Sequence, residues 1–278
     1  MDSKLQRAYA ARMKTAFLFG LLMLCVKPVP AAETVALHTA IQAQSDFEWS
    51  PDGQRGLCPD IFKAVHKLDP ELQFSWSGPA LPERRLLSEL GAGSIDAACG
   101  FVRTGERERQ FQIPDVVLYE KTLVAVVRDG DSLDLNNFAD LKALGSRDVV
   151  LVNAGSEVPA RLRQLGVSKI DEGGANSAVN LQKLMLGRGR VFLYDDPAVD
   201  WDARRGHFSG QVHAIPAALD VDRYYMLLSS RLPPATVQRL RKDLAHLRDD
   251  GSLREIVERW AARVELGRAG TGFADTQG

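Results

Sequence analysis

The sequence has no excess of charge of either sign. Among its 278 residues, 35 are Lys or Arg and 36 are Asp or Glu, which gives a formal net charge of -1 at pH 7. The first 32 residues hold five basic residues and one acidic residue, so the remainder is weakly acidic, with 30 basic and 35 acidic residues. A body without a basic stripe argues against binding to nucleic acid or to an anionic membrane surface.

Extremes of composition are also absent. Hydrophobic residues make up 45% of the chain and charged residues 26%, and there are 23 glycines. The chain is therefore too apolar for a disordered protein and too poor in glycine for a fibrous one. Its length suits one large globular domain or two smaller ones, each able to bury a core.

Familiar motifs of catalysis and metal binding are missing. No histidine stands at a metal-ligand spacing beside another ligand. The five histidines are His38, His66, His207, His213 and His246. The glycine turns at 91–94 and 186–190 are not followed by Lys-Ser or Lys-Thr, and no Gly-x-Ser-x-Gly occurs. By elimination, the sequence favours a binding protein.

The one long apolar run stands near the start of the sequence. Residues 15–26 are apolar, preceded by Arg12 and Lys14 and followed by small residues. These are the three parts of a secretory signal peptide. A helix of that length rises only ~18 Å, against ~30 Å of hydrocarbon in a bilayer. We therefore predict that residues 1–32 are a cleavable signal peptide and that the rest is an exported, soluble protein.

The remainder alternates between predicted strands and predicted helices. Alternating or β-branched apolar residues predict strands, and apolar residues three and four apart predict helices. The strands are predicted at 34–41, 72–76, 95–100, 123–128, 149–152 and 190–194. The helices are predicted from Pro59, from Pro82 to Gly91, from Val158, from Ser177, and around Val237 and Ser252. This order predicts an α/β fold of parallel sheets covered by helices. The last residues, 265–278, are predicted to form a flexible tail.

Two cysteines, Cys58 and Cys99, lie beyond the predicted signal peptide. An oxidising compartment permits a disulfide between them, whereas the alternative is a pair of buried thiols used as small apolar residues. Cys58 begins a predicted helix and Cys99 ends a predicted strand, and both are expected near the same rim. We predict that they are bridged.

The segment from Gly100 to Arg107 is the most informative one. It follows the carboxyl end of a predicted strand, where open α/β sheets bind their ligands. A planar guanidinium at this place can hold a carboxylate through two parallel hydrogen bonds. The charge pattern on its own favours a solvated turn, because charged residues surround Arg107 on both sides. They are Arg103, Glu106, Glu108 and Arg109.

Over residues 35–260, the sequence resembles the periplasmic solute-binding proteins of the amino-acid type, which form family 3 and have the type II periplasmic binding fold. Short motifs carry the resemblance through their order and spacing. They are Gly56-x-x-x-Asp60-Ile61, Leu90 with Ile95-Asp96, Gly100 with Thr104-x-Glu106-Arg107, Asn153-Ala154-Gly155-Ser156, Tyr194-Asp195-Asp196-Pro197, and Asp250-Gly251-Ser252-Leu253 with Trp260. Each motif is short, but together they span most of the chain.

The resemblance implies a two-lobed α/β fold. Each lobe is expected to be a mostly parallel sheet flanked by helices, and two crossover strands near 127–129 and 219–223 form the hinge. The first lobe is expected to be discontinuous, with residues 33–127 and 222–264. The second lobe is expected at 128–221.

The resemblance also implies a ligand site. In this family the arginine of the Thr-x-x-Arg motif, here Arg107, binds the carboxylate of the ligand, and peptide groups near Gly100 and Val102 add hydrogen bonds. An acid after a strand of the second lobe receives the ammonium group. Asp195 matches it, and Asp196 is the neighbouring candidate. The loop after the first strand of the second lobe also faces the ligand, here with Asn153, Gly155 and Ser156.

Some residues depart from the family pattern. Val102 stands where amino-acid binders usually carry a hydroxyl residue. Phe47 and Trp49 suit either an aromatic wall of the site or the core. Charged residues at 83–85 and at Glu157 suit either the cleft or the surface of a helix. These differences leave the class of ligand open.

The resemblance implies a monomeric periplasmic receptor that binds a small carboxylate-bearing solute, such as an amino acid, and delivers it to the permease of an ABC transporter. Such a receptor is expected not to catalyse a reaction and to need neither a metal nor a cofactor. One alternative is an enzyme on the same fold, a cyclohexadienyl dehydratase that acts on arogenate or prephenate. Its acid–base candidates are Glu83, Glu157 and His38. Another alternative is an accessory or sensory protein that signals to a separate partner.

Overall fold

The computed structural model describes residues 34–43, 47–50, 52–196 and 198–269. The predicted signal peptide at 1–32 and the last residues of the predicted tail, 270–278, lie outside this part of the chain. Within it, no helix is both long and apolar enough to cross a membrane.

Strands and helices alternate through most of the chain. The strands are β1 (Val35–Thr39), β2 (Leu72–Trp76), β3 (Ala97–Val102), β4 (Phe111–Gln112), β5 (Tyr119–Arg128), β6 (Val150–Asn153), β7 (Ile170–Gly174), β8 (Val191–Asp196), β9 (Val212–Ala214) and β10 (Asp220–Ser229). The helices are α1 (Leu57–Leu68), α2 (Glu83–Ala92), α3 (Gly105–Gln110), α4 (Val158–Leu165), α5 (Ser177–Met185), α6 (Ala198–Arg205), α7 (Pro234–Asp249) and α8 (Ser252–Ala269), with a 3₁₀ helix at Phe138–Ala143. The predicted α/β class is confirmed.

The strands form two sheets. β1 and β2 pair in parallel, and the larger sheet has the order β3-β10-β5-β8-β6-β7, with β4 on β10 and β9 on β5. β6 pairs in parallel with β7 and β8. The centre differs from the parallel pairing that alternation predicts, because β10 is antiparallel to β3 and β5, and β5 is antiparallel to β8.

The antiparallel centre follows from the path of the chain. β5 and β10 are each 10 residues long, and they pair with each other over Tyr119–Leu123 and Asp220–Tyr224. The chain passes along β5 toward β6–β9 and returns along β10, so the two strands run in opposite directions. The paired part of β5 lies before the first crossover strand, which was predicted at 127–129. The paired part of β10 overlaps the second crossover strand, which was predicted at 219–223. The bounds of the two lobes stay a prediction.

Several helix ends differ from the predicted ones. α2 ends at Ala92 rather than at Gly91, because Gly93 takes the left-handed conformation (φ 73°) that closes the helix. α1 begins at Leu57, ahead of Pro59. α8 continues to Ala269, past residue 265, where the tail was predicted to begin.

Cys58 at the start of α1 is bonded to Cys99 on β3, with 5.8 Å between the Cα atoms. The bridge is fully buried, in a core that also contains residues of α7, α8 and the central strands. Phe47 and Trp49 belong to this core and are 1% and 2% exposed. The disulfide therefore holds the amino end of α1 against the strand that precedes Arg107.

Candidate functional site

A charged cavity lies at the middle of the larger sheet. The volume open to the centre of a water molecule is about 40 Å³. Segments that precede β5 line one side, and segments that follow β5 line the other. The charged residues of the first side are Glu48, Glu83 and Arg107, those of the second side are Glu157 and Asp195, and Lys121 lies on β5 itself.

Arg107 is held firmly on the first side. Its backbone N–H donates to Oγ1 of the N-cap residue Thr104 at 3.2 Å, which fixes the first turn of α3. Arg107 is 7% exposed. Its Nη1 donates to the backbone carbonyl of Val102 at 2.7 Å, and its Nη2 donates to the carboxylate of Glu83. A guanidinium has five N–H groups, so three of them have no protein partner within the described part of the chain. Arg107 therefore keeps donors for a ligand.

Lys121 lies between the two sides. Its ammonium contacts Glu48 on the first side and Oδ2 of Asp195 on the second side, the latter at 3.2 Å. Tyr224 on β10 donates to the same Oδ2 at 2.8 Å. Burial by itself would lower the pKa of Lys121, but Asp195 and Glu48 outweigh it and hold that pKa above the ordinary value. The lysine is therefore charged and joins both sides through buried ion pairs.

Two stacked tyrosines, Tyr119 and Tyr224, lie next to this lysine. The rings of Tyr119 and Tyr224 are 5.0 Å apart, and Lys121 Nζ lies 4.7 Å from the centre of the Tyr224 ring, a cation–π contact. The hydroxyl of Tyr119 is buried and has no hydrogen-bond partner among the described residues. A Cβ on Gly100 would come within 2.5 Å of that hydroxyl, and Gly100 has φ 88°. Glycine is therefore required there, for space and for conformation.

The loop after β6 forms the opposite wall. Asn153 is 3% exposed, and its Oδ1 accepts from Asn180 at 2.7 Å, whereas its Nδ2 has no partner in the described structure. The hydroxyl of Ser156 donates to the backbone carbonyl of Asn153 at 2.9 Å. Gly155 (φ 91°) lets the loop approach α2, since a Cβ there would lie 3.2 Å from the backbone nitrogen of Arg84. The two sides of the cavity are thus close together.

Two carboxylates near the cavity have raised pKa values. Burial is the main cause for Glu157, with Arg107 acting against it and the nearby Glu83 and Asp195 adding to it. Burial, reinforced by the charge of Glu157, raises the pKa of Asp222 to about 6. Both groups bind a proton more readily than an ordinary carboxyl does.

Most of the predicted site residues meet at this cavity. The predicted residues that line it are Arg107, Asp195, Gly100, Val102, Asn153 and Ser156. Gly155 and Asp196 are not among the described residues that line it. Asp196 is the last residue of β8 and lies opposite Thr122 of β5 in the register of the two strands. Their predicted roles toward a ligand stay predictions.

The charges that depart from the family pattern divide in two. Glu83 and Glu157 line the cavity. Arg84 and Arg85 are exposed, and Arg85 pairs with Glu89 along α2 at 3.3 Å. His38, an acid–base candidate of the enzyme alternative, is exposed and contacts Ser75 at 2.9 Å, away from the cavity.

Sequence reasoning missed Lys121, Glu48 and Tyr224. The strand was predicted from residue 123, which left Lys121 outside it. Lys121 alternates with Tyr119 and Leu123 and so shares their buried face. A lysine at an inward position of an apolar strand is the signal that points to a buried partner of opposite charge.

Within the described residues, no group of three or more His, Cys, Asp or Glu side chains is arranged to hold a metal ion. The cavity instead combines hydrogen-bond donors on Arg107 and Asn153 with acceptors on Glu157 and Asp195. Such an arrangement suits a small polar organic molecule.

Three solved structures illustrate what the chain is similar to. The ancestral amino acid-binding protein AncCDT-1, a precursor of cyclohexadienyl dehydratase, matches with a TM-score of 0.67 and 18% identity, over 81% of this chain and 94% of that one. A histidine kinase sensor domain with similarity to periplasmic binding proteins matches with 0.71 and 14%, over 83% and 97%. A putative L-cystine ABC transporter protein from Listeria monocytogenes matches with 0.65 and 22%, over 88% and 100%. At these identities the likeness shows the fold alone, which is the two-lobed type II periplasmic binding fold.

The sequence itself matches a family, although no curated protein matches it significantly. The profile of the bacterial extracellular solute-binding proteins, family 3, covers residues 39–263, which include every segment that lines the cavity. The match extends over far more than half of the chain. The chain therefore belongs to family 3 of the bacterial extracellular solute-binding proteins.

Proposed function

We propose that the protein is a periplasmic receptor that binds a small carboxylate-bearing solute, an amino acid, in the charged cavity and delivers it to an ABC transporter. The observation that carries the proposal is Arg107, a buried arginine with three N–H groups left for a ligand at the cavity. A guanidinium in this state can hold a carboxylate through charge-assisted hydrogen bonds.

The other side of the cavity supports the same proposal. Glu157 and Asp195 offer carboxylates for an ammonium group, and Asn153 offers an unpartnered N–H. A zwitterion contacts both sides at once only when they are close together. Binding would therefore shift the protein toward its closed form.

The proposal is tested by thermal unfolding of the exported protein with the twenty amino acids and with dicarboxylates. A ligand at a hundred times its Kd that binds only the folded state adds about 2.7 kcal/mol to the free energy of unfolding. Arg107→Ala is expected to abolish this gain. Arg109→Ala is the matched control, because Arg109 lies on the same helix but is exposed. If no compound stabilises the wild type, or if both variants respond alike, the proposal is wrong.

One observation favours a second candidate function. Glu157 is a cavity carboxyl with a raised pKa near Arg107, as a general acid that acts on an acidic substrate requires. The matching candidate is a cyclohexadienyl dehydratase, which eliminates water and carbon dioxide from prephenate or arogenate. Incubation with prephenate, followed by detection of the aromatic product, tests it. Turnover by the wild type that Glu157→Gln abolishes would favour the enzyme over the receptor.

A further inference from the structure

The walls of the cavity carry more negative than positive charge. Four carboxylates line it, from Glu48, Glu83, Glu157 and Asp195. Two cations line it, from Arg107 and Lys121. With all six groups ionised, the lining has a net charge of -2.

The ion pairs inside the cavity leave Glu157 out. Arg107 pairs with Glu83, and Lys121 is shared between Glu48 and Asp195. In the part of the chain that the structure describes, the carboxylate of Glu157 has no ion pair or hydrogen bond with another side chain. The carboxylate without an ion pair is therefore that of Glu157, on the side of the cavity that follows β5.

Two further atoms in the same lining have no partner among the described residues. They are Nδ2 of Asn153 and Oε2 of Glu48, in residues that are 3% and 6% exposed. A buried polar atom left without a hydrogen bond costs about 1–3 kcal/mol. These atoms add one donor and one acceptor to the unpartnered N–H groups of Arg107 and the carboxylate of Glu157, so a ligand with both a carboxylate and cationic groups finds partners for each.

A ligand's charge decides how well it fits this lining. A neutral zwitterion brings no net charge, so the excess on the walls stays uncompensated. An acidic amino acid adds a negative charge beside Glu157 and is repelled. A ligand with one carboxylate and two cationic groups keeps a carboxylate for Arg107, and its surplus positive charge compensates the walls.

We propose that the ligand is an amino acid with a positively charged side chain, and that Glu157 is the residue that selects it. This inference rests on the proposed function above and deepens it. Glu157 holds the position at the amino end of α4, directly after the loop that carries Asn153 and Ser156. The cationic group therefore binds beside Glu157, on the side of the cavity that follows β5.

The electrostatics of the empty cavity agree with this assignment. Burial raises the pKa of Glu157, Arg107 acts against it, and Glu83 and Asp195 add to the effect. A further cation beside Glu157 would favour the ionised form of this buried carboxyl.

The experiment compares ligands that differ in side-chain charge but little in shape. Arginine is paired with citrulline, and lysine with norleucine, in calorimetric titrations of the wild type and of Glu157→Gln. We expect the wild type to bind the charged member of a pair at least tenfold more tightly, and the variant to lose most of that preference. Glu106→Gln is the matched control, since it removes the same charge from an exposed position on α3.

The outcomes separate the two proposals. Tight binding of a neutral or acidic amino acid, with no preference for a charged side chain, would overturn this inference but leave the receptor in place. A preference for arginine or lysine that survives in Glu157→Gln would overturn the role of Glu157. If no amino acid binds at all, the proposed function and this inference both fail.

Discussion

Two clusters of ionic side chains in this protein differ in burial and in charge balance. The first, called here the back cluster, lies away from the cavity and consists of Arg239, Asp69 and Glu71. Arg239 of α7 donates to Asp69 at 2.5 Å and to Glu71 at 2.6 Å, and all three side chains are partly exposed. In the cavity, the ion pairs of Lys121 and Arg107 are buried and an extra carboxylate remains. The back cluster joins α7 to the turn between α1 and β2 and has solvent to screen it. The cavity cluster keeps charges at a cost in stability, which is typical of a binding site.

The largest effect is expected at the centre of the cavity. Lys121→Met leaves Glu48 and Asp195 buried without their shared cation and should lower the free energy of unfolding by about 3–5 kcal/mol. Chemical denaturation measures this loss. Lys63→Met is the control, because its ion pair with Asp60 is 3.6 Å long and exposed, and it should cost less than about 1 kcal/mol. Equal losses in the two variants would remove the contrast between buried and exposed pairs.

The next effect has the opposite sign. Glu157→Gln removes a carboxylate whose ionised form burial disfavours and should raise the free energy of unfolding of the ligand-free protein. The physical reason is that burial disfavours the ionised form of this group. Thermal unfolding at pH 7 checks it, with Glu106→Gln for comparison. A variant that is less stable than the wild type would mean that Glu157 has a stabilising partner.

A smaller loss is expected at the back cluster. Arg239→Met should cost about 1 kcal/mol, since its two carboxylate partners stay partly hydrated. The loss should shrink in 1 M salt, because exposed charges are screened over about 3 Å there. Lys121→Met should keep most of its loss in the same salt. Denaturation of both variants at two salt concentrations distinguishes them, and an identical salt response would contradict the comparison.

The smallest effect is a dependence on pH, with opposite signs in the two regions. Near the cavity, burial and Glu157 raise the pKa of Asp222 to about 6, and Asp195 and Asp220 add to this while Arg161 opposes it. The folded state therefore holds this proton more tightly, so the stability from the protonated group is present below pH 4 and is lost as the pH rises to about 6. We expect a decrease below about 1 kcal/mol after allowance for screening.

The variant Asp222→Asn should remove that decrease between pH 4 and 6. In the back cluster, Arg239 lowers the pKa of Asp69, so its contribution is present above about pH 4 and is lost as the pH falls further. Unfolding curves of the wild type, Asp222→Asn and Arg239→Met across pH 3–7 test both signs. A difference in stability between the wild type and Asp222→Asn that stays constant from pH 4 to pH 7 would contradict the assignment.

Local patterns predicted much of the fold because they act within a few residues. The helix predicted from Val158 begins there in the structure, and β2 was predicted at its observed bounds. The long crossover strands were harder. In the first half of β5, Tyr119 and Lys121 are buried while Glu120 is exposed, and the buried positions make sense only against β10 and β8.

The candidate site was predictable where one short motif contains both the ligand-binding side chain and the residue that fixes its position. Thr104 caps α3 and thereby places Arg107 at the cavity, and both residues belong to a single short segment. The partners of Arg107 and Lys121 were not predictable in the same way. Glu83 is 24 residues from Arg107, and Glu48 is 73 residues from Lys121.

The sequence by itself determined the alternation of strands and helices, the ends of several helices, and an arginine at the end of a strand. These follow from side-chain periodicity and from capping, which act within one or two turns of chain. Only the tertiary structure decided which charges neutralise one another. Buried ion pairs form between segments far apart in the chain, and the carboxylate left unpaired, Glu157, is known only once all of those pairs are in place.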